Sequence, residues 1–198
     1  MTAGSRAPQQ ERSRLTRERL LSSTVDALAH DGWSAATVAA VAERAGVSRG
    51  AAQHHFPTRE ALITAVLEQI YDDLATSADR SRAVPADADP ITAAVEHAVA
   101  MYTGTEFKAA LQIWAAAASD AALRSLILPM EARFARAAHR STMSVLGAAP
   151  DDDTARRAVQ ATLDLARGLG LADTLSDDSA RRAQVIVTWS QMMRAALG

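Results

Sequence analysis

The segment Thr37–Phe56 constrains the fold of this chain more than any other stretch. Val38, Val41 and Ala42 recur at helical spacing behind Thr37, a residue able to cap a helix by accepting a backbone hydrogen bond. Gly46 supplies the left-handed conformation that closes a helix tightly, and Ser48 opens a second one. That second helix must stop at Phe56, because Pro57 pushes the residue before it out of the helical region. Two short helices joined by a tight turn make a helix-turn-helix.

The rest of the chain is consistent with helices throughout. It has 198 residues, 48% of them hydrophobic, enough for one domain or two small ones with a buried core. Only 4% are aromatic, and much of the apolar content is alanine, which loses little on entering a helix and lets helices approach closely. An all-α fold of about nine helices is expected. The absence of cysteine excludes a disulfide framework and a thiolate metal site. No stretch is apolar enough to span a bilayer, and the first residues carry charges in place of a signal core, so a cytoplasmic protein with no membrane partner is expected.

Charge is divided unevenly. Residues 1–60 hold eight arginines against six acidic residues, although the whole chain has a net charge of −2. An N-terminal part that meets nucleic acid and a C-terminal part that does not would account for this split.

Along the chain, residues 1–11 read as a disordered arm, whose Arg6, with Arg12 and Arg14 beyond it, stands within reach of phosphates. A first helix from about Arg12 to Asp31 is marked by Leu21, Val25 and Leu28 and stopped by Gly32, giving a helix-turn-helix domain over 12–57. Thr58 caps a linking helix, expected over 58–82, with apolar rows Leu62, Val66, Ile70, Leu74 and Ile63, Leu67, Tyr71. Residues 81–89, rich in Ala, Asp and Pro, read as a linker. Asp89-Pro90 then opens a helix to about Thr103, Glu106 to Ala118 forms another, and a longer one follows to Gly147 with a kink expected at Pro129. Asp151 to Asp153 favour the start of the next helix, whose apolar face includes Val159 and Leu163. The last helix, with Val185, Ile186, Val187, Trp189, Met192 and Met193, is apolar around most of its circumference and needs cover on two sides. A symmetry mate can supply one of them, so a homodimer through Val159, Leu163, Trp189, Met192 and Met193 is expected.

The second helix of the motif carries Arg49, Gln53 and His54 outward, side chains suited to phosphates and base edges. Gly50 on the same exposed side costs about 1 kcal/mol relative to alanine in a helix interior, which points to a close backbone approach, with DNA the obvious candidate. Enzyme readings fail on context. Gly46-Val47-Ser48-Arg49-Gly50 fits the hydrolase pattern Gly-x-Ser-x-Gly, but that elbow needs a strand before it, and Val38–Ala45 has helical period. His54 and His55 point about 100° apart on a helix and cannot share a metal, and no Glu has a His three residues later, as a di-metal bundle requires. No metal and no cofactor are therefore expected.

This order of elements resembles the TetR (tetracycline repressor) family of transcriptional regulators. The resemblance is strongest from Arg19 to Leu67, through Gly32-Trp33, Thr37-Val38, Ala42 to Gly50 and His54-His55-Phe56-Pro57-Thr58-Arg59-Glu60-Ala61-Leu62. A weaker similarity covers Leu111 to Phe134. It implies phosphate contacts from Thr37, Ser48, His55 and Arg59, and groove contacts from Arg49, Gly50, Gln53 and His54. Ala52-Gln53 departs from the family's Leu and aromatic, so the operator sequence is expected to differ there, since Gln pairs bidentately with adenine. The resemblance further implies a homodimeric repressor on palindromic double-stranded operator DNA, released by a small effector held in the helical domain over 58–198. Met101, Tyr102, Phe107, Trp114, Met130 and Phe134, with polar groups such as His97, Gln112, Arg133 or Asp164, suit a mostly hydrophobic ligand. A helical regulator acting through protein contacts, or a TetR-like activator, is the alternative.

Overall fold

The computed structural model describes residues 6–80 and 89–198, with side chains over 10–73 and 89–198. The described residues form nine α-helices, one short 3-10 turn and no strand: α1 (Arg6–Asp31), the turn (Trp33–Ala35), α2 (Val38–Arg44), α3 (Arg49–His55), α4 (Arg59–Arg80), α5 (Pro90–Met101), α6 (Thr105–Ser119), α7 (Ala121–Leu146), α8 (Asp153–Ala172) and α9 (Ser179–Leu197). The start of the expected arm and nearly all of the expected linker, 1–5 and 81–88, lie outside the described residues.

Helix boundaries follow local chemistry. Thr37, Ser48 and Thr58 accept backbone hydrogen bonds from Ala40, Ala51 and Ala61 at 3.2, 3.2 and 3.1 Å. Asp89, Asp120 and Asp152 do the same for α5, α7 and α8. Gly32, Gly46, Gly104 and Gly147 follow helices or helical turns with positive φ. One expectation is corrected. Helix α1 begins at Arg6, so residues 6–11 are helical instead of a loose arm; Pro8 is tolerated there because first-turn N–H groups have no intrahelical partner. Arg14 then pairs with Glu11 and Glu18 on the same helix. Pro129 lies within helix α7.

The chain forms two compact units, one of residues 1–69 with 109–127, the other of 70–108 with 128–198. In the first, Leu20, Leu21, Leu28, Val41, Ala52, Phe56, Leu62, Ile63 and Leu67 are buried. Apolar residues of α1 thus meet the inward sides of α2 and α3. An Asp31–Arg44 ion pair joins the ends of α1 and α2.

In the second unit, Val95, Ala98, Tyr102, Phe107, Phe134, Val159, Leu163 and Met193 are buried. Gly170 permits the tightest approach. A Cβ there would stand 1.8 Å from the Tyr102 carbonyl oxygen and 2.6 Å from the Phe107 ring. Asp173 binds both Lys108, at 3.2 Å, and Arg182, at 2.7 Å, tying the start of α6 to α9.

Candidate nucleic-acid interface

Helix α3 is short and held from behind. Ala52 is fully buried, as is Phe56 just beyond the helix end, so the opposite side is free by helical geometry. That side presents two i, i+4 rows, Arg49 with Gln53 and Gly50 with His54, all four exposed together with the capping Ser48. Ala52 faces the supporting helices and is wholly covered. Gln53 beside it lies on the surface.

Gly50 needs no freedom for internal reasons. Its backbone is not left-handed, and a Cβ added there meets nothing within 4 Å. Nothing among the described residues accounts for the missing side chain.

The remaining expected contacts divide. Thr37 is half-buried with its hydroxyl engaged in capping α2. His55 is half-buried, its ring centroid 5.7 Å from that of His54 and 6.3 Å from that of Phe56. Burial, followed by the nearby His54 and Arg17 charges, holds its imidazole below the ordinary histidine value, so it favours the neutral form. Arg59 turns inward. Its Nε donates to the Ala36 carbonyl at 2.9 Å, its Nη2 donates to the Trp33 carbonyl, and its guanidinium stacks 3.9 Å from the Trp33 ring centroid. Its charge pins the turn leading into α2, which leaves Arg49 and its neighbours as the outward donors.

The residues expected to hold an effector are buried except Trp114, which is half-buried and belongs to the other compact unit. Tyr102 meets Phe107 edge-on at 5.4 Å and Phe134 at 6.0 Å, while Phe134 stacks on Tyr71 at 4.6 Å. A polar group missed in the sequence lies beside them. The Tyr71 hydroxyl donates to Glu131 at 2.9 Å, and Arg167 lies 3.9 Å from Glu131, 2.9 Å from Asp164 and 3.3 Å from the Tyr102 hydroxyl. Burial raises the Glu131 carboxyl above its ordinary value, opposed by the Tyr71 hydrogen bond and Arg167. The available signal was spacing, since Glu131 lies three residues before Phe134 and so shares its face.

Of the residues expected at a dimer interface, Val159, Leu163 and Met193 are buried within the chain, where Thr162 and Met193 approach to 3.6 Å across α8 and α9. Trp189 is half-buried, its indole N–H donating to Thr162 at 2.9 Å, and Met192 is exposed. The free apolar face of α9 instead includes Val187, 57% exposed, and Met192, 59% exposed. A groove of about 380 Å³ beside it is lined by Leu165, Val185, Trp189 and Met192 among others.

Residues 20–66 match the family model described as bacterial regulatory proteins, tetR family. The chain is 33% identical over 123 residues to the HTH-type transcriptional regulator CymR of Pseudomonas putida, covering 60% of this chain and 59% of that one. It is 30% identical over 115 residues to the HTH-type transcriptional regulator BetI of Paraburkholderia phymatum, covering 56% and 58%. The chain thus spans less than two thirds of the length of these two relatives. A crystal structure of a transcriptional regulator from Rhodococcus sp. Rha1 has the same fold, with a TM-score of 0.72 at 23% identity, covering 91% of this chain and 95% of that one.

Proposed function

Because this chain belongs to the TetR family of bacterial transcriptional regulators, we propose that it is a ligand-responsive repressor that binds a palindromic operator as a homodimer and is released by a small, mostly hydrophobic effector. The proteins it matches are regulators, not enzymes. In this reading 12–57 is the DNA-binding domain and 58–198 the effector-binding and dimerisation domain, with the helix after Thr58 as the link.

One observation carries the reading: α3 exposes Arg49, Gly50, Gln53 and His54 together, with open space where a Gly50 side chain would stand. Two such helices, related by a dyad, enter successive major grooves about 34–36 Å apart. Arg49 and Gln53 read base edges, while Ser48, Thr37 and His55 lie toward phosphates. The exposed Val187 and Met192 supply the self-complementary apolar patch of the dimer. Effector binding tilts the linking helix and changes the spacing of the two reading heads. Such coupling is typically ~1–3 kcal/mol and reciprocal, so operator DNA weakens effector binding by the same factor.

Selection of bound fragments from genomic DNA tests this directly. An enriched inverted repeat with two half-sites one helical turn apart supports it; no enrichment favours a regulator acting through protein contacts. Met192→Glu should yield monomers in sedimentation with the fold intact, whereas a wild type that is already monomeric defeats the dimer.

A further inference from the structure

A cavity of about 400 Å³ opens beside the Arg59–Trp33 stack, wholly within the first compact unit. That is the size of a small-molecule site. Its walls are apolar: Trp33 from the 3-10 turn, Ile63 from α4, and Leu123 and Leu126 from the beginning of α7. None of the residues expected to hold an effector lines it.

Its charged groups are unequal. Glu60 and Asp120 face one guanidinium, that of Arg59, which is already engaged with two backbone carbonyls and an indole. Asp120 commits Oδ1 to the Leu123 N–H at 3.0 Å, and neither its second oxygen nor the Glu60 carboxylate takes part in an ion pair or side-chain hydrogen bond among the described residues. An apolar ligand with a negative charge would bring it against two carboxylates that share one guanidinium already engaged elsewhere; one with a positive charge would balance the second carboxylate.

We propose that this cavity binds a small amphipathic cation, a protonated amine on a flat apolar body. The ammonium takes the side of Glu60 and Asp120, and the body lies against Leu123, Leu126 and the exposed part of Trp33. Binding links the turn before α2, the start of α4 and the start of α7, and so stiffens the unit that carries α3. It does not depend on what the α3 surface binds.

Isothermal titration of the full-length protein with tryptamine, indole and indole-3-acetate tests the proposal, because the three share a ring and differ in charge. Tryptamine is expected to bind once per chain and to raise the melting temperature, with indole weaker and indole-3-acetate weaker still. Glu60→Gln and Asp120→Asn should each weaken tryptamine about two- to fivefold, the range for a partly exposed ion pair. Ala122→Trp fills the cavity from its exposed rim and should abolish binding. Should Ala122→Trp melt below the wild type, the two charge variants decide. No saturable tryptamine binding at millimolar concentration, equal binding of all three probes, or tryptamine affinity unchanged in the charge variants overturns the proposal.

Discussion

Gly50→Ala separates what the protein needs from what its partner needs. In the free chain the new methyl meets no atom within 4 Å, and the backbone is not left-handed. The change therefore gains helix propensity, at most ~1 kcal/mol because Gly50 lies in the first turn of α3. For a chain of this size that is about 2–4 °C in melting temperature. If the DNA backbone closes against Gly50, the same methyl overpacks the contact and costs ~1–3 kcal/mol, roughly 5- to 150-fold in Kd. Stability and affinity should move in opposite directions. Calorimetric melting and fluorescence anisotropy with a selected operator measure the two. Gly46→Ala is the internal control: φ is 62° there, so alanine pays ~1–2 kcal/mol of left-handed strain and melting temperature falls. Operator affinity unchanged in Gly50→Ala, or a lower melting temperature, would refute the argument that an external contact explains this glycine.

Three further outcomes follow from the packing and the charges. Gly170→Ala drives a Cβ into the Tyr102 carbonyl and the Phe107 ring, so chemical denaturation should show a loss of ~3 kcal/mol or more. Arg49→Ala should weaken operator binding by ~1–3 kcal/mol, whereas Arg59→Ala should lower stability by about 2 kcal/mol and leave the salt dependence of DNA binding unchanged, because its donors serve carbonyls; a flattened salt slope in Arg59→Ala would return that residue to the phosphate contacts. Glu131 has a folded value raised by burial, so its favourable contribution is complete below the ordinary carboxylate value and is lost as pH rises through the raised one. Wild type should accordingly lose melting temperature relative to Glu131→Gln across that window, and a constant difference would contradict the assignment.

The elements legible in the sequence are those whose causes are local. Thr37, Ser48, Thr58 and Asp89 announce helix starts because a cap bonds its own first turn, and Gly46 and Pro57 stop helices by their own backbone restrictions. The exposed face of α3 was legible for the same reason. Features missed depend on distant partners. Val159, Leu163 and Met193 are as apolar as Val187 and Met192, and only packing decides which are covered by the chain itself. Arg59 has a stem long enough to turn either way, so its inward stack on Trp33 is a tertiary result. Gly170 looks like a weak point in a helix until the Tyr102 carbonyl opposite it is known.

Six of the helices begin on a polar side chain that bonds their own first turn: Thr37, Ser48, Thr58, Asp89, Asp120 and Asp152. The punctuation of this chain is thus written separately from its vocabulary. A substitution in the aromatic cluster around Tyr102 can reshape the interior without moving the place where any helix starts. A protein punctuated in this way can vary its interior while keeping the frame that holds α3 in place.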